Sequence, residues 1–380
     1  MLLLSIAACG DDGGAPADET SAADGESSSS SGGETSGGDA DNTTAPSATT
    51  STSVDSSSSG DVESSSSTGE EPDELIVTLP GTMLFPEGID ADEGESLYVG
   101  GLTASTIFRI DPPYTDDDVS TFSDGELDRG VIGVFVDDEH GLLFACDSDP
   151  FDPVASSLVA LDLSTGVRVA EHPLTPVAEG GPVFCNDGLI GEDGHAYISD
   201  SFGARVLRVR GDELEEDGTT PELFVEGPEL GPDGEPPFGP NGITELDGEL
   251  YLANFNRGTL LWLQRDGNGD GSGIVELALT TDAGEPTVLL GPDGIEATDA
   301  GTLLVVENGV FAPRGGNRVV EVELDGTSGV VREVAAGFDT PTTAVATEGR
   351  LWVVEGQFEH AFGLDKGRPD PFQIVGIPWE

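Results

Sequence analysis

The sequence has 380 residues, and its 74 Asp and Glu residues against 14 Lys and Arg residues give a formal net charge of -60. A chain with this charge repels phosphate groups, which excludes nucleic acid and anionic lipid headgroups as partners of a folded domain. No apolar stretch is long enough to cross a bilayer as a helix.

The first element in chain order is a short apolar run, MLLLSIAAC, which ends at Cys9. An apolar run followed by small residues and a cysteine resembles the end of a bacterial lipoprotein signal peptide, whose lipobox would be residues 6–9. We therefore expect residues 1–9 to be a lipoprotein-type signal and Cys9 to carry the lipid. An ordinary apolar N-terminus is the alternative.

The next segment, residues 10–73, consists almost wholly of Ser, Gly, Thr, Ala, Pro, Asp and Glu. Such a composition cannot bury enough apolar surface to offset the entropy of ordering, so we predict a disordered acidic linker. A lipid, a long polar tether and a compact domain together predict an exported protein, lipid-anchored to the bacterial cell envelope. The lipid would be its only contact with the membrane.

The remaining residues, 74–380, contain six related segments that recur about every 50 residues. They begin at Phe85, Val131, Phe184, Gly239, Gly291 and Thr340. Each reads as a strand, a tight turn rich in Asp, Glu and Gly, and a second strand, and most are followed by two further alternating runs. Four antiparallel strands per repeat predict an all-β fold, a six-bladed β-propeller. A two-sheet sandwich, the rival fold, would not produce six equally spaced hairpins.

A propeller must close its ring, and the two ends of this domain can do so. ELIVTLP begins at Glu74, before the first repeat, and PFQIVGIPW begins at Pro371, after the last. We predict that these two strands meet in the closing blade. The remaining cysteines, Cys146 and Cys185, lie in strand-like runs, and a disulfide and two buried free thiols are equally compatible with the sequence.

The first strand of every blade lines the central channel, so equivalent positions in the repeats form a ring around the axis. Aligning the six segments places the following residues in that ring: Glu87, Ile132, Asn186, Asn241, Asp293 and Thr342. Four of the six are oxygen donors, found in the phrases PEG, NDG, PNG and PDG. Asn or Asp before Gly is also a common turn former, but turns alone do not explain four donors in register.

Two carboxylates and two amides suit a hard divalent cation, because their charge of about -2 neutralises it and the amide oxygens add ligands. Glu87, Asn186, Asn241 and Asp293 are therefore the predicted metal ligands. The absence of His and Cys disfavours zinc, and oxygen ligands favour Ca²⁺, with Mn²⁺ and Mg²⁺ as alternatives. A second candidate, RDGNGDGSG from Arg265, lacks the Glu that a calcium loop requires and is better interpreted as a polar hairpin tip.

These four residues carry a resemblance to the calcium-dependent six-bladed propellers of the gluconolactonase, regucalcin and senescence marker protein family. The resemblance implies that Glu87, Asn241 and Asp293 bind the metal, that Asn186 lies beside metal and substrate, and that Asp293 is the general base. The ends of the second strands return to the same mouth of the channel. Candidate substrate contacts there are Asp200, Asn254, Glu307 and Glu355, together with Asn186; Asp147 occupies the same position in blade two.

Two functions of different class follow. The first is metal-dependent hydrolysis of a lactone or related ester, with a small-molecule substrate and a monomeric enzyme. The alternative is a non-catalytic, metal-stabilised, surface-displayed binding or scaffolding propeller, in which the metal only fastens the blades. The phrase PEGIDADEG, unlike the aromatic-containing phrase that follows this Glu in gluconolactonases, favours the alternative.

Overall fold

The structure is a computed structural model that describes residues 74–311 and 316–379. Within these ranges, 25 strands form six sheets, accompanied by one helical turn, α1 (Phe358–Ala361), and two 3-10 turns. The predicted signal of residues 1–9, its lipid site Cys9 and the linker of residues 10–73 lie outside the described residues.

The first three blades each comprise four consecutive antiparallel strands, ordered from the channel outwards. Blade one contains β2 (Pro86–Ala91), β3 (Leu97–Gly101), β4 (Ala104–Ile110) and β5 (Val119–Asp124). Blade two contains β6 (Gly130–Asp137), β7 (Leu142–Ser148), β8 (Ser156–Asp162) and β9 (Arg168–Pro173). Blade three contains β10 (Cys185–Ile190), β11 (Ala196–Asp200), β12 (Arg205–Val209) and β13 (Glu222–Glu226).

Blades four and five continue the same pattern, and blade six combines the two ends of the domain. Blade four contains β14 (Pro240–Leu246), β15 (Glu249–Asn254), β16 (Thr259–Arg265) and β17 (Gly271–Glu276). Blade five contains β19 (Pro292–Ala297), β20 (Leu303–Glu307), β21 (Arg318–Asp325), β22 (Ser328–Ala336) and, at its outer edge, β18 (Ala278–Thr281). Blade six contains β23 (Pro341–Thr347), β24 (Arg350–Glu355), β25 (Gln373–Pro378) and β1 (Leu75–Thr78).

Turn chemistry in the sequence accounts for the hairpins. In blade four, Leu246 pairs with Glu249, so the loop between β14 and β15 has only two residues. These residues, Asp247 and Gly248, have φ angles of 54° and 77°. Two consecutive residues with positive φ form the type I′ turn that matches the twist of the flanking strands, and Asp-Gly is one of its preferred sequences.

The innermost strand of each blade contacts the innermost strands of both neighbouring blades, which closes the ring of six. The predicted closure is confirmed, because β1 pairs antiparallel with β25, Leu75 opposite Gly376. At the axis, the Thr342 hydroxyl of blade six donates a 2.7 Å hydrogen bond to the carbonyl oxygen of Glu87 in blade one. All-β architecture, six blades and shared termini were therefore predictable from the sequence.

One blade departs from the four-strand pattern that the sequence predicts. The run GIVELAL, residues 273–279, divides between two blades: β17 closes blade four, and β18 pairs in parallel with β22 of blade five. The division follows from the backbone, because the Leu277 amide bonds to Leu260 in blade four and the next amide, of Ala278, bonds to Thr327 in blade five.

The core lies between the faces of adjacent blades, where aliphatic and aromatic side chains are fully buried. Cys146 on β7 and Cys185 on β10 form a disulfide between blades two and three, with 5.2 Å between their Cα atoms. Of the two alternatives left open by the sequence, the structure therefore has the pair rather than two free thiols.

Candidate functional site

A β-bulge recurs at the same place in all six innermost strands. In β2, Pro86 pairs with Gly101 and Ile89 with Val99, so Glu87 and Gly88 together face the single residue Gly100. The same shift occurs in the other five strands. The first bulged residues of the six strands are Glu87, Ile132, Asn186, Asn241, Asp293 and Thr342. The predicted ring is therefore a ring of bulges, a feature that often aims side chains at functional sites.

Glycine follows several ring residues because the bulges of neighbouring blades are in backbone contact. A Cβ on Gly88 would lie 2.4 Å from the carbonyl oxygen of Ile132, and a Cβ on Gly242 would lie 2.4 Å from that of Asp293. No side chain fits at these distances. The PEG and PNG phrases thus reflect close packing around the axis as well as turn formation.

The four predicted ligands line one cavity at the end of the channel, although they come from four different blades. Glu87, Asn186, Asn241 and Asp293 are each only 3–5% exposed. They line one narrow cavity in which about 40 Å³ is accessible to the centre of a water molecule, enough for a few water molecules. Within residues 74–311 and 316–379, no Lys, Arg or His side chain lines it. The ring position therefore brings these four side chains together.

The carboxyl groups of Glu87 and Asp293 are both buried in the cavity, where their negative charges would repel each other. Burial raises the pKa of Glu87 well above its usual range, and the charges of Asp293 and Asp187 raise it further. Burial raises the pKa of Asp293 to about 8, against the lowering effect of hydrogen bonds from Asn308 and Asn241. Since no positive side chain of the described residues lines the cavity, an added cation would further stabilise both carboxyl groups as anions.

The amide groups provide a further test of whether a cation fits. Oδ1 of Asn186 is buried and has no hydrogen-bond partner. A buried amide oxygen without a partner costs about 1–3 kcal/mol, which a cation ligated by it would offset. No three His, Cys, Asp or Glu side chains in the described ranges cluster in metal-binding geometry, so the candidate centre depends on two acids combined with two amides. This donor set fits Ca²⁺.

The sequence did not reveal one functional neighbour, Asn308. Its Nδ2 donates a 2.7 Å hydrogen bond to Oδ2 of Asp293, and its Oδ1 accepts a hydrogen bond from the Val310 amide. Asn308 is fully buried. It directly follows β20 in the pair Asn-Gly. This pair is a common turn sequence, so the sequence alone indicates a turn and not a contact with Asp293.

The predicted substrate contacts at the ends of the second strands do not line the cavity, Asn186 excepted. Asp200 accepts hydrogen bonds from the Phe184 amide and the Arg205 guanidinium, and Glu307 accepts from the Leu290 amide and Arg318. Asn254 donates to the carbonyl of Leu230, and Glu355 accepts from the amide of Asp339. Asp147 likewise holds the Arg129 amide. Each of them fastens the loop before the innermost strand of its own blade, so their placement does not support a direct role in substrate binding.

A second group of acids lies further along the channel, at a separate cavity lined by Asp90, Asp187 and Glu296. Burial raises the pKa of Asp90 to about 6 and that of Asp187 to about 7, and it raises the pKa of Glu296 well above its usual range. Asp90 also accepts hydrogen bonds from the amides of Ala91 and Val136. Burial therefore disfavours the ionised form of all three carboxyl groups, and a nearby cation would favour it.

The fold and the cavity place this chain among six-bladed propellers with a polar centre on the axis. No family model matches the sequence, and no curated protein matches it either. The solved structures that resemble this chain cover most of its length but have low sequence identity to it. The major allergen Mala s 1 of Malassezia sympodialis has a TM-score of 0.59 at 14% identity and covers 81% of this chain and 96% of its own.

Two enzymes of known structure resemble this chain to a similar degree. A luciferin-regenerating enzyme has a TM-score of 0.55 at 13% identity, covering 80% of this chain and 95% of its own. A gluconolactonase from Xanthomonas campestris has a TM-score of 0.52 at 16% identity, covering 81% of this chain and 90% of its own. Structural similarity at such low sequence identity shows the fold alone. The function has to be argued from the site. In the described part of the chain, no helix is long and apolar enough to cross a membrane.

Proposed function

We propose that this protein is a metal-dependent hydrolase of a lactone or related ester, with Ca²⁺ as the expected metal and Mn²⁺ or Mg²⁺ as alternatives. The observation that carries the proposal is one buried cavity with two carboxylates, two amides and an unpartnered Asn186 oxygen. The fold shared with a gluconolactonase supports it. The expected partner is a small molecule, and we expect a monomer that binds no nucleic acid.

The roles of the side chains follow from their positions. A bound divalent cation would polarise the ester carbonyl and stabilise the negative charge that develops on its oxygen. Glu87, Asn241 and Asp293 would hold the cation, and Asn186 would lie beside both cation and substrate. Asp293 would accept the proton of the attacking water, and the hydrogen bond from Asn308 fixes the orientation of its carboxylate.

The first prediction concerns Asp293→Asn, which keeps an oxygen ligand and removes the proton acceptor. We expect kcat to fall by at least about 100-fold even at saturating metal, because general bases contribute that much or more. The measurement is hydrolysis of aldonolactones, acyl lactones and aryl esters with Ca²⁺, with Mn²⁺ and after chelation. Asp90→Asn, the same change further along the channel, is the matched control and should keep most of the activity.

The hydrolase proposal fails if the folded, metal-loaded wild type turns over nothing on that panel, or if chelation leaves its rates unchanged. The binding or scaffolding propeller is then the better description. One observation favours it already: among the residues that the structure describes, Glu87, Asn186, Asn241 and Asp293 are the only polar side chains that line the cavity, and none of the others could act as a polar clamp for a substrate. In that case chelation would lower the thermal midpoint without affecting any turnover.

We further propose that the protein is exported and lipid-anchored through Cys9 to the bacterial cell envelope. The Cys146–Cys185 disulfide supports export, since disulfides persist in oxidising compartments. Mass spectrometry of the mature protein should find an acylated Cys9 at its N-terminus, and Cys9→Ser should release the protein from membranes. An unmodified Met1, or cleavage well beyond Cys9, would remove the anchor.

A further inference from the structure

The cavity that holds the four ring side chains has an apolar wall. All ten of its other lining residues in the described part of the chain are apolar, and four of these are aliphatic. The other six are the phenylalanines Phe184, Phe238, Phe255, Phe311, Phe358 and Phe362. They stand on loops and turns of blades three to six, so the wall is assembled from separate parts of the chain.

Phe238, in the loop before β14, is the centre of this aromatic wall. Its ring centroid lies 6.1 Å from that of Phe255, 6.3 Å from that of Phe362 and 6.5 Å from that of Phe311. It also lies 6.4 Å from Phe184. Aromatic rings in contact at such distances pack as a continuous apolar surface. Phe238 is itself only 7% exposed.

An apolar wall discriminates between substrates of one reaction. A sugar lactone would carry several hydroxyl groups into a cavity whose only polar side chains, among the described residues, are the four predicted to hold the metal. Each hydroxyl that loses water without gaining a partner weakens binding, whereas each buried methylene strengthens it. The apolar wall therefore determines which substituents are accepted on the part of the substrate that does not react.

We infer that the site accepts a lactone or ester with an aliphatic or aromatic substituent, and that it discriminates against polyhydroxylated lactones. The inference rests on the proposed hydrolase function for its reaction and on the phenylalanine wall for its substrate class. Phe238 is the residue that determines this specificity, because it contacts the largest part of the wall.

The experiment compares δ-valerolactone, δ-nonalactone and D-glucono-δ-lactone with the calcium-loaded full chain. We expect kcat/KM to rise about fourfold per added methylene until the cavity is filled. We expect glucono-δ-lactone to be at least about 100-fold slower than δ-nonalactone. Equal or faster hydrolysis of glucono-δ-lactone would overturn the substrate class while leaving the hydrolase intact.

Phe238→Leu should reduce the ratio of kcat/KM for δ-nonalactone over δ-valerolactone by about tenfold, because the wall loses its central ring. The matched control is Phe224→Leu on β13. Phe224 is 6% exposed and packs against Tyr197 at 4.9 Å, away from the cavity. The ratio should not change in this control. An unchanged ratio in folded Phe238→Leu would remove Phe238 from the proposal.

A binding measurement keeps the inference testable if no lactone is hydrolysed, an outcome that would refute the hydrolase. Calorimetry then compares the binding affinities of δ-valerolactam, of δ-valerolactam with an alkyl group at C6, and of gluconolactam. None of these lactams needs to react. Tighter binding of the alkyl lactam supports the apolar site. No binding, or preference for gluconolactam, overturns it.

Discussion

Asn308 shows how a side chain outside the ring can set the properties of a ring carboxylate. Its amide is fully buried and donates to Oδ2 of Asp293, and this hydrogen bond lowers the pKa of Asp293 against the larger effect of burial. Partners of this kind orient metal ligands and favour their ionised form. Asn308 therefore belongs to the candidate metal centre without being a predicted ligand.

We predict that Asn308→Ala weakens calcium binding by about 10- to 100-fold at pH 7, the usual cost of removing an outer partner of a metal ligand. The carboxyl of Asp293 would then hold its proton more tightly and compete with the metal. Isothermal calorimetry measures the affinity. Asn256→Ala is the control, since Asn256 bonds to backbone groups of Asp233 and Pro236. Equal affinities in the two variants would contradict the assignment.

The ring residues were predictable because a repeated sequence repeats its geometry. Glu87, Asn186, Asn241 and Asp293 occupy one register position, and the structure places all four at the same point of a bulge. Asn308 was not predictable, because its contact with Asp293 depends on how one loop folds back. The contacts of Asp200 and Glu307 were not predictable either, because an acid at a strand end can face the channel or accept hydrogen bonds from a loop.

At the scale of elements, α1 is a single turn held against blade six by ionisable groups. Its Glu359 accepts a hydrogen bond from the Thr340 hydroxyl and lies beside Asp339, the residue that precedes Thr340. Burial raises the pKa of Asp339 to about 6, and the nearby charges of Glu359 and Glu355 add to the effect, while His360 lowers it. Two neighbouring acids are therefore poorly tolerated as anions here.

This pKa determines how stability depends on pH. The folded-state pKa of Asp339 is above its ordinary value of 3.8, so between about pH 4 and pH 6 the folded state binds more protons than the unfolded state. Stability contributed by this group is present below pH 4 and is lost as pH rises through 6. We predict that Asp339→Asn is more stable than wild type at pH 7 by about 1–2 kcal/mol.

Denaturant unfolding at pH 4, 5, 6 and 7 tests this prediction. The gain of Asp339→Asn should shrink towards zero at pH 4. Asp117→Asn, an exposed residue of the 3-10 turn Asp116–Asp118, should show no such trend. A gain for Asp339→Asn that is independent of pH would mean that packing rather than charge is responsible.

The division of GIVELAL between two blades shows a limit of strand prediction. The run has the alternation of one strand, and nothing in its residues marks Leu277 as the point of exchange. The exchange occurs because the edge of blade five offers a free partner in β22 at the place where blade four ends. Long-range pairing decides such a case, and local propensity does not.

At the scale of the whole molecule, the fold was predictable and the wall of the cavity was not. Six spaced hairpins specify a ring, whereas the phenylalanines of the wall stand in loops without any periodicity. Their positions, from Phe184 to Phe362, become related only when four blades have assembled. The disulfide was also left open, because two cysteines in strands of neighbouring blades can be paired or free.

We predict that the double variant Cys146→Ala, Cys185→Ala loses about 2–4 kcal/mol of stability, since the disulfide links residues 39 apart and restricts the unfolded chain. Denaturant unfolding with and without reductant measures the loss. Reductant should lower the midpoint of the wild type and leave the double variant unchanged. A wild type that keeps its midpoint after both thiols are shown to be free would contradict this contribution.

The pairing of β1 with β25 also bears on how the chain could be rearranged. Leu75 lies opposite Gly376, so the beginning of β1 and the end of β25 are neighbours at the outer edge of one sheet. A short peptide from residue 379 to residue 74 would join them. The hairpin loop could then be opened as new termini at Gly267, where an added Cβ would have nothing within 4 Å. Such a circular permutant would close blade six covalently and move the free ends, and anything fused to them, to blade four.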